Sequence, residues 1–249
     1  MGRAKEIIVK VIPSKIANEF VKNHHYSGKV VPNSTLHFGC FLDDKLHGVM
    51  SYGPSINKKG TINLVEGTGW NEFIELNRMA FDDYLPKYSE SRCIAISIKL
   101  IKKNAPQIKW IISFADGTQC GDGTIYRASG FSLVGLVDNT ALRVNPKTGE
   151  AMHVIQAHHL KISNEFRKWK VFDGKQLKYI YLIDKTCKIT VPTLPFSKID
   201  EMGAGMYKGE KITLAERQKN AAKVLPVAQQ ASSLQEGFDS TLPLNKTGK

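Results

Sequence analysis

A chain of 249 residues is long enough to bury a sizeable core, so one domain of about 150–200 residues with additions is expected. A net charge of +12 points to an anionic partner, a nucleic acid or a phosphorylated ligand, although a basic surface also serves solubility. Cys40, Cys93, Cys120 and Cys187 form no CxxC pair, which disfavours a zinc finger and fits reduced thiols in a cytoplasm, and no stretch approaches the roughly 20 apolar residues of a membrane span.

The N-terminal MGRAKEIIVKVIP has no apolar core long enough for a signal peptide. Within it, Ile7 to Ile12 reads as a short strand. A helix follows from Pro13-Ser14, with Ser14 as N-cap and Ile16, Ala17, Phe20 and Val21 at helical spacing. It ends near His24-His25-Tyr26, with Gly28 suited to the C′ position. Leu36 to Gly53 reads as a hairpin turning at Asp43-Asp44-Lys45. Residues 54–74 are polar and glycine-rich and read as a loop insertion. Glu75 to Phe81 (ELNRMAF) is a strand whose alternation sets Leu76, Arg78 and Ala80 on one face. Ser91 to Asn104 is a buried helix capped by Ser91, with Ile94, Ile98 and Ile101 on one face.

Trp110 to Phe114 is a buried strand that runs into Asp116 and the glycine-rich turn GTQCGDG. A short helix over Thr124–Ser129 carries Tyr126 and Arg127, and Phe131–Val134 is again a strand. Ala141 to Gln156 predicts a second hairpin, Asn164 to Phe172 a helix and Leu177 to Ile183 a late strand. One amphipathic helix is expected over Lys211–Val224, with disorder beyond Pro226. The expected class is α/β, a mixed central sheet flanked by helices on both faces. Residues 1–205 form the domain, and 206–249 a flexible C-terminal extension.

Ligands of open α/β sheets sit at the carboxyl ends of strands, which is where Asp116 stands. Its bland role is to cap the following turn. His25 offers a base or a metal ligand, and Tyr26 a proton donor. A histidine at a helix C-terminus also simply caps carbonyls, and no more than one of the adjacent pair is expected to face a cleft. Arg78, mid-strand among apolar neighbours, must pair with a carboxylate such as Asp116 or Glu75, or hold an anion or carbonyl. Tyr126 is either a proton donor or a core aromatic. The glycine loop is neither GxGxxG nor a P-loop, so it carries little nucleotide signal. Lys99, Lys102, Lys103 and Lys109 form a solvated or phosphate-contacting face.

The order HHYSG (24–28), ELNRMAF (75–81), SRCIAISIKLIKKNAP (91–106) and SFADGTQCGDGTIYRASGF (113–131), with KYIYLIDK (178–185) as a late strand, resembles the Mom family of bacteriophage DNA-modification proteins. The resemblance spans about residues 7–200. It implies a GNAT-like acyltransferase fold and a transferase that adds a carbamoylmethyl group to adenine N6 in DNA, evading host restriction in the bacterial cytoplasm. It carries over His25, Tyr26, Arg78, Asp116 and Tyr126 as catalytic residues. Ser91 and Arg78 would be donor-binding, and iron, where present, would be held by His25, Asp116 and Tyr126.

LPKYSESR replaces the glycine turn that cradles the CoA pyrophosphate in the wider superfold, which makes glycyl-tRNA a donor alternative to acetyl-CoA. A duplex adenine would have to be flipped, with Trp70 or Phe73 as stacking partners. The rival readings are an acyl-CoA-dependent N-acyltransferase acting on an amine, and a non-catalytic DNA-binding phage protein.

Overall fold

The computed structural model describes residues 2–117, 123–138, 140–149, 151–172, 175–201, 206–207, 210–211 and 216. After a 3-10 turn, β1 (Ile8–Val11) leads into α1 (Ser14–His24). The N-cap is Pro13 in extended conformation, so Ser14 is the first helical residue and makes no side-chain cap. The C-cap is His25. Gly28 adopts a positive φ of 58° but lies beyond C′, where its N–H closes a turn onto the His25 carbonyl at 2.8 Å. β2 (Leu36–Leu42) and β3 (Lys45–Gly53) form the expected hairpin. Asp43 and Asp44 both have positive φ, as the tight turn between right-twisted strands requires.

The 54–74 segment is a loop broken by α2 (Lys58–Thr61) and a 3-10 turn at Ile62–Leu64. β4 (Phe73–Phe81) follows, then α3 (Ser89–Asn104) and β5 (Trp110–Asp116). The cap of α3 is Tyr88 rather than Ser91. Cys93, Ile94, Ser97, Ile98 and Ile101 are its buried residues, the i, i+3, i+4 stripe that drives an amphipathic helix onto a sheet. α4 (Thr124–Ala128) and β6 (Ser132–Asp138) complete the predicted strand–loop–helix–strand unit. The glycine turn's residues 118–122, Cys120 among them, lie outside the described residues.

β7 (Leu142–Val144) and β8 (Ala151–His153) are the second hairpin, but the chain turns helical at Val154 as α5 (Val154–His159). The helix expected over 164–172 is only α6 (Ser163–Phe166), and β9 (Lys170–Val171) then pairs with β7. β10 (Lys175–Leu182) is the late strand, followed by α7 (Ser197–Glu201) and the short pair β11 (Met206–Tyr207) and β12 (Glu210–Lys211). Most of the expected helix over 211–224, and the segment beyond Pro226, lie outside the described residues.

The seven-stranded sheet runs β1-β2-β3-β4-β5-β10-β6. Its neighbours are antiparallel apart from β4 and β5, which α3 connects in parallel. One face packs on α3 through Phe38, Met50, Tyr52, Leu76, Ile94, Ile111 and Leu177. The opposite face carries two clusters. Val49 and Ala80 lie under α1 with Ala17, Phe20 and Val21. Phe73, Trp110, Ile112 and Ile180 lie under Leu64 and Val65. Phe73, stacked on Trp110 at 4.5 Å and 3% exposed, therefore belongs to the core and cannot stack on a base. Trp70 is 47% exposed. Lys109 pairs with Glu72 at 2.7 Å, while Lys99, Lys102 and Lys103 are exposed. Cys40 and Cys93 are buried free thiols.

β4 breaks the predicted alternation. Ser51 pairs with Arg78 and Tyr52 with Leu76, so Asn77 is an extra, bulged residue. Leu76 packs toward α3, as do Met79 and Phe81, whereas Ala80 packs toward α1. Arg78 alternates with Ala80 and so faces the α1 side, away from Leu76.

Gly123 fixes the chain's return after β5: its φ is 68°, and a Cβ there would lie 2.7 Å from Tyr179 Oη. Gly123→Ala is expected to lower the unfolding free energy by about 2 kcal/mol, combining left-handed strain with overpacking. Urea titration of both proteins measures this, and an unchanged midpoint would contradict the packing described.

Candidate functional site

The parallel ladder of β4 and β5 covers only Phe73–Leu76 against Trp110–Ser113. At its end the buried Ser113 hydroxyl donates to the Leu76 carbonyl at 3.0 Å. Beyond that point the two strands share no ladder among the described residues, and the gap between them defines the candidate cleft. Arg78 stands on one arm, two residues past the last pair, and Asp116 on the other, three past it. Asp116 alternates with Trp110, Ile112 and Phe114, which all pack on the side opposite α3. Arg78 and Asp116 thus open onto the same side of the sheet.

His25 reaches this face from the end of α1. Its neighbour His24 stacks on Phe20 at 4.2 Å, so only one histidine of the pair is directed inward. The Ser27 backbone N–H donates to His25 Nδ1 at 3.1 Å, and the Ser27 hydroxyl lies 2.8 Å from the same atom. A backbone N–H can only donate, so Nδ1 is an acceptor and the ring proton sits on Nε2. Burial, reinforced by the Arg78 guanidinium, pulls the His25 pKa down to about 4. The imidazole is therefore neutral at physiological pH and offers an N–H donor. Tyr26 is 52% exposed and tilts against the His25 ring at 4.2 Å, on the rim.

Arg78 Nε donates to the Lys29 carbonyl at 3.0 Å, which ties the HHYSGK turn to β4. Its field also reaches Glu75 and His153. Burial raises the Glu75 pKa, while Ser55, Asn77 and Arg78 act in the opposite sense. The Asn77 amide influences that carboxylate without full hydrogen-bond geometry, since its buried Nδ2 has no strict partner. His153, at the end of β8, is lowered by burial and by Lys29 and Arg78, against the opposing pull of Asp116. Lys29 Nζ donates to Gln156 Oε1 of α5 at 3.3 Å.

The structure brings His25, Arg78 and Asp116 together with Lys29, Glu75 and His153. Tyr126 lies apart, 9% exposed in the α3-side core against Phe131 and Tyr179. Ser91 sits in the first turn of α3, its hydroxyl donating to the Tyr88 carbonyl at 3.2 Å. Lys29 and His153 escaped the sequence reading. Lys29 contributes through its carbonyl, and His153 is one residue of a short strand brought in by tertiary contact; neither leaves a local signal.

The ligand set for iron does not fit. Tyr126 packs in the core of the other face, His25 Nδ1 is engaged by Ser27, and the charge nearest His25 is a guanidinium. Among the described residues no three His, Cys, Asp or Glu side chains come together as a metal site.

The sequence matches the Mom protein family over residues 6–198. The chain belongs to that family. The Mom match contains His25, Tyr26, Arg78, Ser91, Asp116 and Tyr126, together with the β7–β9 segment. The methylcarbamoylase Mom of Escherichia phage Mu is 35% identical over 159 residues, covering 64% of this chain and 64% of that protein. The chain thus matches just under two thirds of that relative's length.

Among solved structures, a Bacillus subtilis acetyltransferase in complex with CoA is 9% identical, covers 71% of this chain and 98% of its own, and has a TM-score of 0.43. The ribosomal-protein-S18-alanine N-acetyltransferase of Escherichia coli is 8% identical, with 72% and 94% covered and a TM-score of 0.43. Likeness at that level carries nothing about donor or acceptor. Among the described residues no helix is long and apolar enough to cross a membrane.

The His25 shift has a sign. The unfolded chain binds this proton near 6.5 and the folded one only near 4, so the stability it contributes is present above about 6.5 and is lost as pH falls toward 4. His25→Asn retains an acceptor for Ser27 but cannot titrate. Its stability is expected to fall less than the wild type's between pH 7 and about 4.5, as read from urea midpoints. Parallel pH profiles would rule out the buried neutral imidazole.

Proposed function

We propose that this chain is a transferase that attaches a carbamoylmethyl group to the exocyclic N6 of adenine in DNA, with residues 1–205 as the catalytic domain. The observation that carries the proposal is the opposed pair Arg78 and Asp116 on the diverging arms of β4 and β5, within a family whose phage Mu member is a methylcarbamoylase. The basic composition suits a polyanionic substrate.

The N6 lone pair is delocalised into the purine ring, so the amine needs an activated electrophile and a proton acceptor. Asp116 takes the proton as the N6–carbon bond forms. Arg78, aligned through the Lys29 carbonyl, polarises the donor carbonyl and stabilises developing negative charge. The new bond is to the methylene carbon beside that carbonyl, the bond from this carbon to its leaving group breaks, and the leaving group keeps the electron pair. Asp116 then passes that proton to the leaving group, since Tyr126 lies in the core of the other face. His25 orients a substrate oxygen with its Nε2–H.

A duplex adenine must leave the stack to reach such a cleft, and the exposed Tyr26 ring on the rim is the surface for it to stack on. The start of α3, near Ser91, is the place for a phosphorylated donor. Glycyl-tRNA carries the carbon, oxygen and nitrogen atoms of the transferred group, whereas the acetyl unit of acetyl-CoA has no nitrogen and no leaving group on its methyl carbon.

Mass spectrometry of nucleosides from cells expressing the protein tests this. Wild type is expected to yield a carbamoylmethyl adduct on deoxyadenosine, and Asp116→Asn and Arg78→Lys to reduce it by about 100-fold or more. Unmodified DNA alongside an acylated small amine would favour an acyl-CoA-dependent N-acyltransferase. Salt-steep DNA binding without any product would favour a non-catalytic DNA-binding protein.

A further inference from the structure

Between β6 and β10 the chain inserts residues 139–174, whose described part has its own three-stranded sheet, β8-β7-β9, and its own small core of Ala157, Phe166 and Trp169. Residues 140–172 carry six Lys and Arg against two Glu. The insertion touches the cleft through His153 and through Gln156, which accepts from Lys29. At the far end of α5 a notch is lined by His158, His159, Lys161, Ser163 and Asn164. All five can donate hydrogen bonds, and no carboxylate is among them; Glu165, the next residue on α6, is not in the lining.

We propose that this notch binds a backbone phosphate of duplex DNA beside the nucleotide held in the cleft. The inference rests on the DNA-modifying reading above and assigns it a docking contact.

Three observations converge. The first is the donor set itself, an ammonium with imidazole, hydroxyl and amide groups, which is how proteins hold phosphodiester oxygens.

The second is placement. α5 runs from Val154, next to His153 in the cleft, to His159 in the notch. Its six residues span about 8 Å at 1.5 Å per residue. That is roughly two base steps of one DNA strand at 3.4 Å each. A phosphate in the notch and a nucleotide in the cleft can then belong to one strand.

The third is the backbone. α5 ends in a Schellman turn, with Ile162 N–H on the Ala157 carbonyl and Lys161 N–H on the His158 carbonyl, both at 3.0 Å. The C′ position of that turn favours glycine, yet it holds Lys161 at a φ of 57°. Fold stability does not ask for a lysine there; an anion in the notch does.

That third point supplies a variant in which misfolding and lost binding separate. Lys161→Gly relieves the left-handed conformation while removing the charge, so its melting temperature is expected to be no lower than that of wild type. Binding of the full-length proteins to a fluorescent DNA duplex is measured by anisotropy across a salt series. Loss of one phosphate contact is expected to reduce the slope of log K against log salt by about 0.9. The affinity gap to wild type should then narrow about threefold between roughly 50 and 200 mM salt. Ser163→Ala should weaken binding in the same direction without altering charge.

An unchanged slope and affinity in Lys161→Gly overturn the proposal. So does displacement of the duplex by inorganic phosphate at constant ionic strength, which would make the notch a site for the free anion. A larger loss on a tRNA than on the duplex overturns the assignment to DNA. If wild type forms no adenine adduct but Lys161→Gly still loses salt-dependent duplex binding, the catalytic reading fails and the notch stands. If the adduct forms and the variant binds like wild type, only the notch fails.

Discussion

The β4–β5 junction governs the rest of the site. Four residue pairs of parallel ladder hold the two central strands together, and then the strands separate. The bulge at Asn77 falls immediately beyond the last pair. Had β4 kept strict alternation, Arg78 would have followed Leu76 toward α3, into a face built from Ile94, Ile98 and Ile101. A guanidinium there would lose its hydration without a partner. One extra residue directs it to the opposite face, where the Lys29 carbonyl receives Nε and the cleft receives the charge. The same register shift places Glu75 and Arg78 on a common side despite their three-residue spacing. Among the described residues, Asn77–Phe81 and Phe114–Asp116 share no ladder with each other.

Burial then sorts the charges. Desolvation holds His25 neutral, lowers the His153 pKa and raises that of Glu75. Arg78 and Lys29 are the basic side chains of the site, and both are long enough to keep their heads near water. A neutral His25 has a consequence for roles. With Nδ1 occupied by Ser27, its outward nitrogen is a donor, so the proposed mechanism gives proton acceptance to Asp116. Two groups that both look like bases in the sequence thus have opposite duties in that proposal.

Much of this was legible from residue order. The α3 stripe, the Asp43-Asp44 turn and the strand ending in Asp116 follow from local periodicity and turn chemistry, and the structure has all three. The cleft's membership was legible in part: His25, Arg78 and Asp116 gather, while Tyr126 and Ser91 belong to other surroundings. What could not be read locally depends on pairing between distant segments. A bulge is a mismatch between two strands, so β4 alone reads as unbroken alternation. Phe73 looks like a loop aromatic until Trp110, 37 positions later, covers it. In the 140–172 segment the hairpin is legible but α5, α6 and β9 are not, for a different reason: these elements are two to six residues long, too short for a period to register.

That segment also shows how the fold divides its labour. β6 and β10 pair closely on either side of it, and its own core forms from Ala157, Phe166 and Trp169, so the insertion burdens the main sheet little. Closing a longer excursion between two fixed strand ends adds chain entropy only logarithmically with length. Arg143 holds the small sheet together by donating to the Arg167 and Trp169 carbonyls at 3.0 and 2.7 Å. Because its packing is separate, the basic surface can change without disturbing the core that positions Arg78 and Asp116. His153 and Gln156 nevertheless touch the cleft's residues, so whatever α5 grips at its far end is held in register with the chemistry at its near end. Coupling here needs no conformational change, only a short rigid helix anchored at both ends.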